Sequence, residues 1–318
     1  MGTSRRDTRI LKGVQLAKRL RGEIAAAREL LLDQGGTTPV LATLLVGDNA
    51  AALAYRASIA RTFSRVEIDH RAVERPGDIT AGELEQTVRA LNEDPAVTGI
   101  LVLMPLPAHL DPQLITEALS PLKDVDGITP TNAGRLHLGL PSLRPSTPAG
   151  GLELLDFHSV PLEGAKVTVV GRSNVVGRPL ATLLTQRHAT VTLCHSRTHN
   201  LAAETGDADV VCIAAGHPNL ITGEMIRPGA TVLDFGVNVL DDGSLVGDAD
   251  FDSMLGVAGA ITPVPGGTGP VTALVLARNT LAAGFAAIAG SLDGVLYEIP
   301  EAILRAHAAD LEPAAPTR

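Results

Sequence analysis

The sequence predicts an α/β fold in two domains, each a parallel sheet with helices on both faces. Two alternating series carry that prediction. Apolar segments of strand length and of helix length alternate from about residue 40 to about residue 103, and again from KVTVV at 166 to a long apolar helix that begins GPVT at 269. A stretch dense in Pro, Gly and turn formers, from about 121 to 150, separates the two series. Strict β-then-α order is the pattern of three-layer architectures with parallel strands. At 318 residues, 45% hydrophobic and 19% charged, the chain is long enough to bury two cores.

The elements follow in order. VQLAKRLRGEIAAARELLLDQ has apolar residues at helical spacing and stops at Gly35-Gly36, a C-terminal signal. PVLATLLVG reads as a buried strand, then come a helix over about 50 to 63, a strand over about 66 to 73, a helix opened by Thr80, and the strand GILVL. The stretch from 121 to 150 reads as a long, ordered connection. The second series runs KVTVV, a helix after Gly177, TVTLC, a helix near 198 to 204, ADVVCIAA, ATVLDFG, AITPVP and the closing helix. The domains expected are 1–148, with the helix 269–288 packing back on it, and 149–268. An extension, 289–318, is expected to be partly disordered.

The formal charge of -9 and pI near 5.5 argue against nucleic acid as a partner, because such proteins carry a cationic field for phosphates. Both cysteines, Cys194 and Cys212, lie in apolar strand-like runs, so a reduced, cytoplasmic protein is expected rather than a disulfide framework. The N-terminus MGTSRRDTRILKG has no apolar leader core and, with Arg6, no myristoylation pattern. The longest apolar window is taken to be GILVLMPLPAHL, which Pro105 and Pro107 break, so no membrane span is expected. No metal site is expected.

KVTVVGRSNVVGRPLATLL is a phosphate-cradle candidate: a buried strand enters Gly171, a short polar turn follows, and Gly177 opens a helix whose N-terminus favours a pyrophosphate. The spacing is G-x-S-x-x-x-G, which by itself also fits an ordinary strand-turn-helix. After the next strand, folds selective for NAD place an acidic residue on the ribose 2′-hydroxyl. Here the chain reads His195-Ser196-Arg197. No carboxylate repels a 2′-phosphate there, Arg172 and Ser196 can hydrogen-bond it, and Arg197 or His195 adds positive charge. NADP is preferred over NAD.

KDVDG, PSTPAG, GRSNVVGRP, GVN and ITPVPGGTGPVT occur in this order, and the set resembles the bifunctional methylenetetrahydrofolate dehydrogenase/methenyltetrahydrofolate cyclohydrolase family from about residue 8 to 287. The resemblance implies two α/β domains with a cleft between them, tetrahydrofolate one-carbon derivatives on the first, NADP on a Rossmann-like second, and a homodimer. It implies cofactor contacts from Gly171, Arg172, Ser173, Val176, Gly177, His195, Ser196, Arg197, Ala215, Gly216 and Val237. On the folate side it implies Tyr55, Leu103, Asp126 and the segment Pro265, Gly266, Gly267, Thr268, Gly269, Pro270 and Thr272. Tyr55 and Asp126 are the candidate catalytic pair. Asp126 would accept from a pterin's amino and ring N–H groups, although spacing alone also allows an Asx turn before Gly127.

Two departures stand out. In the family, VGDN precedes Y-x-x-x-K on a helix, the tyrosine packing on the folate ring and the lysine acting as base of the cyclohydrolase step; here the lysine position is Ile59. The family's glutamine partner of that lysine, in V-Q-L-P, is Leu103, and the small hydroxyl three residues before the tyrosine is Ala52. Arg56 and Arg61 stand at i+1 and i+6 from Tyr55 and are not expected to substitute. Hydride removal from a carbon between two nitrogens needs positioning, whereas hydrolysis of the resulting cation needs water deprotonated. A dehydrogenase with weak or absent cyclohydrolase activity is therefore expected. The other readings are an inactive folate- and NADP-binding paralogue, and a reductase of another cyclic iminium substrate.

Overall fold

The computed structural model describes residues 7–240 and 242–295. The chain divides into two compact units. One contains Lys18–Arg144 with the described residues from Ala273 on, the other the described residues to Ala17 with Pro145–Thr272. The sequence reading had put the segment before Lys18 in the first domain; its strand β1, Arg9–Ile10, pairs in parallel with a strand of the second unit. The expected extension lies outside the described residues from 296 on.

In the first unit, helix α1 (Val14–Asp33, of which the part from Lys18 belongs here) leads to strand β2 (Val40–Val46), helix α2 (Ala50–Arg65), strand β3 (Asp69–Arg75), helix α3 (Ala81–Glu93) and strand β4 (Gly99–Val102). The sheet order is β3-β2-β4, all parallel. Ala42, Leu44 and Val46 pack with Leu84, Val88 and Leu91 of α3 and with Ile115 of helix α4 (Gln113–Ala118). By strand alternation Leu41, Thr43 and Leu45 face the other side. Thr80 caps α3 reciprocally with Glu83, so the predicted start is built as a capping box.

Strand β3 begins three residues later than predicted. Val66 and Ile68 still donate to the Phe63 carbonyl, with Glu67 at φ 54, so the helix end consumes the apolar residues that suggested a strand. The strand itself, DHRAVER, is polar and largely exposed at the sheet edge.

The stretch from 121 to 150 is not a plain connection: it contains helix α5 (Pro130–His137) and the start of helix α6 (Ser146–Phe157). Thr129 caps α5 and Pro130 occupies its first turn. In α6, Pro148, Gly150 and Gly151 hide the helix from propensity, yet Gly151 is needed there: a Cβ would stand 2.2 Å from Phe235 Cζ.

The second unit continues with β5 (Lys166–Val170), α7 (Gly177–Gln186), β6 (Thr190–Cys194), α8 (Leu201–Gly206), β7 (Val210–Ile213), β8 (Thr231–Asp234), the antiparallel pair β9 (Asn238–Val239) and β10 (Leu245–Val246), α9 (Phe251–Met254) and β11 (Ala260–Ile261). The six-stranded sheet runs β1-β11-β8-β7-β5-β6 with every pairing parallel. Because β6 flanks β5 on one side and β7 on the other, strand order reverses at β5, the place where open α/β sheets form their ligand crevice.

Helix α10 (Gly269–Ala289) closes the chain's core. It corrects the reading of GILVLMPLPAHL as the longest apolar window: α10 is the described helix long and apolar enough to cross a bilayer, and most of it is buried inside the fold. Two X-Pro bonds are cis, Met104-Pro105 and Val264-Pro265.

Candidate functional site

Helix α2 carries the first of the residues expected on the folate side. Asn49 caps it, its carboxamide oxygen accepting from Ala52 N at 3.0 Å, which fixes the helix start after VGD. Ala52, Ile59 and Phe63 are its buried face, with Ile59 at 0% exposure, whereas Tyr55 is 37% exposed. Leu103 follows β4, donates to the Leu44 carbonyl at 2.9 Å and is buried. Ile59 and Leu103 are thus both apolar wall.

Arg56 is more interior than its position beside Tyr55 indicated. Its Nη2 pairs with Glu74 Oε1 at 2.6 Å, and Nη1 is buried with no hydrogen-bond partner among the described residues. On the same side, Thr43 Oγ1 and His70 Nε2 are 2.9 Å apart, and burial, helped by the Arg56 charge, lowers the His70 pKa. Arg56 presents only guanidinium donors and offers no base; Arg61 is exposed.

KDVDG is held by its first aspartate. Asp124 is fully buried; Oδ1 accepts from Ile128 N at 3.0 Å, while Oδ2 accepts from Thr129 N at 2.8 Å, Thr129 Oγ1 at 2.7 Å and Asn132 Nδ2 at 2.9 Å. Burial pushes its carboxyl pKa up and those hydrogen bonds oppose the rise. The carboxylate that builds the turn is therefore Asp124, with Gly127 at φ 59, while Asp126 is half-buried. Lys123 Nζ donates to the Asp94 and Leu91 carbonyls at the end of α3, and burial lowers its pKa. From α10, Asn279 donates to the Val125 and Arg144 carbonyls, both at 2.7 Å. Asp124, Asn132 and Asn279 were missed in the sequence; a second acid two residues before Asp126 was the one visible signal.

In the second unit, the two candidate cofactor segments leave neighbouring strands. Val170 is paired with Cys194, and Gly171 N donates to the Cys194 carbonyl at 2.9 Å, so Arg172 and Ser196 each lie two residues beyond that pair. Gly171 has φ 124, and a Cβ there would stand 2.1 Å from the Ala214 carbonyl oxygen; a Cβ on Gly177 would stand 1.9 Å from the Gly171 oxygen. Both glycines are demanded by backbone against backbone. Ser173 Oγ accepts from Val176 N at 3.1 Å and from Gly177 N at 3.4 Å, shaping the turn into α7.

His195 Nδ1 accepts from Arg197 N at 3.1 Å and Thr198 Oγ1 accepts from His195 N at 2.9 Å, so the imidazole helps to fold its own turn. Arg172, Ser196 and Arg197 are exposed. These residues fit an NADP: a glycine-only backbone crevice at the strand-order reversal, a helix N-terminus, and two exposed guanidinium groups with no acid at 195–197. Ala215 and Gly216 follow β7 and Val237 follows β8, all at C-terminal strand ends. Of the 265–272 segment, Gly266 has φ 110, a Cβ on Gly267 would meet Pro263 O at 2.8 Å, and Thr268 and Thr272 are buried.

Comparison with known proteins agrees with this arrangement. Residues 11–126 match the tetrahydrofolate dehydrogenase/cyclohydrolase catalytic domain, and residues 145–287 match the NAD(P)-binding domain of the same family. The bifunctional protein FolD of Chloroflexus aurantiacus is 50% identical over 277 residues, 87% of this chain and 97% of that one. FolD of Bordetella avium is 48% identical over 275 residues, 86% and 96%. Among solved structures, the bifunctional FolD of Campylobacter jejuni is 40% identical with a TM-score of 0.83, covering 87% of this chain and 98% of that one. The Trypanosoma brucei FolD, solved with NADP and an inhibitor, is 35% identical with a TM-score of 0.83, covering 89% and 99%. The chain belongs to the tetrahydrofolate dehydrogenase/cyclohydrolase family.

Proposed function

We propose that this protein oxidises 5,10-methylenetetrahydrofolate to the methenyl compound with NADP, and that its cyclohydrolase activity is weak or absent. One observation carries the second half: Ile59, at the position where the resemblance implies the base, has 0% exposure in an apolar face. Leu103, at the position of that base's partner, is likewise buried. Neither side chain accepts or relays a proton.

The two steps ask different things of these residues. A bound nicotinamide supplies the hydride acceptor. The chain would hold its pyrophosphate against the backbone at Gly171 and Gly177, and its 2′-phosphate with Arg172 and Ser196, Arg197 or His195 adding positive charge. Tyr55 offers a half-exposed ring for the folate's aromatic system, and Asp126 accepts from the pterin edge. No proton has to be removed as the hydride leaves, because a lone pair on the flanking nitrogen stabilises the cation. Hydrolysis of that cation gains about a hundred- to ten-thousand-fold from a positioned base, and Ile59 supplies none.

The test follows purified protein with methylenetetrahydrofolate and NADP at the methenyl absorbance. Accumulation of the methenyl product, with formyltetrahydrofolate rising no faster than it does without enzyme, is the expected result. Formyl product appearing as fast as NADPH overturns the proposal.

A further inference from the structure

Asp234 and Asp248 lie buried side by side behind the cofactor segments, and no motif had drawn attention to either. Asp248 Oδ2 accepts from Ala215 N at 2.7 Å and Gly216 N at 2.8 Å, and its Oδ1 accepts from Asn238 Nδ2 at 2.9 Å. Asp234 Oδ1 accepts from Gly236 N at 2.7 Å and Asp248 N at 3.1 Å, and Oδ2 from Ala249 N at 2.9 Å. Asp234 N donates to Thr262 Oγ1 at 2.8 Å, and Thr268 Oγ1 is 3.4 Å from the Asp234 carbonyl.

Two carboxyl groups buried side by side are costly unless each is hydrogen-bonded, so the arrangement must be held by what they bind. They bind backbone N–H groups of three connecting segments, the turn after β7, the turn after β8 and the residues after β10, where Ala249 also bridges Ile221, and Asp248 binds the Asn238 side chain as well. The turn after β7 is also the surface on which the glycine crevice rests, since Gly171 packs directly against Ala214. Space is tight around the pair. A Cβ on Gly236 would stand 2.4 Å from Asp248 Oδ1, and one on Gly247 would stand 1.9 Å from Asp234 Oδ2.

We propose that Asp248, supported by Asp234, is a positioning residue for cofactor binding: its carboxylate fixes Ala215, Gly216 and, through the Asn238 side chain, the Val237-Asn238 segment at the start of β9 as the floor of the dinucleotide crevice. It touches neither cofactor nor substrate and acts through the Ala215 and Gly216 amides and the Asn238 side chain. The proposal rests on the NADP-dependent reading above.

The test uses the full chain, NADPH fluorescence for the dissociation constant, steady-state kinetics, and amide hydrogen exchange at 214–217 and 235–239. Asp248→Ala should raise the NADPH dissociation constant and the KM for NADP about tenfold or more, leave the KM for the folate within about threefold, and speed exchange at both turns. Asp248→Asn should largely restore binding, because its amide oxygen can accept from residues 215 and 216 while the Asn238 carboxamide turns over to accept from its NH2. Should Asp248→Ala fail to fold, Asn238→Ala removes one arm and should weaken NADPH two- to tenfold. A folded Asp248→Ala or Asn238→Ala that binds NADPH like wild type overturns the proposal, as does Asp248→Asn behaving no better than the alanine variant. If wild type itself binds no NADPH, the functional reading has failed, and the exchange data alone then decide whether Asp248 holds the two turns.

Discussion

Replacing Ile59 with lysine puts back the ionisable group that the resemblance implies at that position, into a site with 0% exposure. A lysine buried among apolar side chains has its pKa lowered by about 3 to 5 units. Taking about 6 in the fold against about 10.4 in the unfolded chain, Ile59→Lys should lose about 4 to 5 kcal/mol at pH 7, since each unit is worth about 1.4 kcal/mol. The sign follows from proton counts: at pH 7 the unfolded chain holds a proton that the folded chain releases. Stability therefore rises with pH between about 6 and 10, and the penalty is gone above that range. Lost isoleucine packing adds a term that does not vary with pH. Urea unfolding at pH 7 and pH 9.5 measures the difference. Adding Leu103→Gln should recover about 1 to 3 kcal/mol at pH 7 by giving the amine a polar partner, and should raise methenyl hydrolysis about a hundredfold or more. If Ile59→Lys unfolds at the same urea concentration at both pH values, the site is wet and the reasoning fails. A stable double variant that oxidises but still does not hydrolyse refutes the assignment of Ile59 as the missing base.

Three further outcomes are expected. Asp124→Ala should cost about 3 kcal/mol or more in chemical unfolding, because it strands buried donors from Ile128, Thr129 and Asn132; a loss under 1 kcal/mol would show that water replaces the carboxylate. Burial raises the Asp234 pKa to about 6, above its unfolded value, so this group contributes stability that is full below about pH 4 and lost as pH rises through 6. The stability of wild type minus that of Asp234→Asn should therefore fall by up to about 3 kcal/mol between pH 4 and 6.5, and a flat difference would refute that assignment. Ser196→Asp should lower the preference for NADP over NAD by about tenfold or more, read as a ratio of kcat/KM values; an unchanged ratio removes Ser196 from the 2′-phosphate site.

The strand and helix alternation was legible because strands such as β2 and β5 are buried and apolar and the helices between them are amphipathic. What escaped the sequence did so for identifiable reasons. α6 begins with Pro and Gly residues whose use is tertiary, Gly151 making room for Phe235. β3 is a polar edge strand whose apolar prelude belongs to the end of α2. In the site, the glycines at 171 and 177 and the absence of an acid at 195–197 could be read directly, because local backbone demands write themselves into local sequence. The carboxylates that hold the turns could not. Asp124 is separated from Asn132 by eight positions and Asp234 from Asp248 by fourteen, and an isolated aspartate looks the same whether it is a solvated surface group or a buried acceptor of three or four donors. The pairing of Arg56 is not legible either, because helical spacing counts neighbours along the helix and not across to the sheet, where Glu74 meets it.

The interleaving of the two units has a consequence for synthesis on the ribosome. The unit that contains most of the first 144 residues also needs α10 beyond Ala273: Asn279 ties down the loop at Val125, Thr280 lies against Gly99, and Gly284 lies against Leu31. The later-encoded unit has all its strands once residue 261 has been made, and its last residue is Thr272. The nascent polypeptide therefore completes its lobes in the reverse of coding order, and the earlier lobe waits, with apolar surface open to solvent or to a chaperone, until α10 clears the exit tunnel.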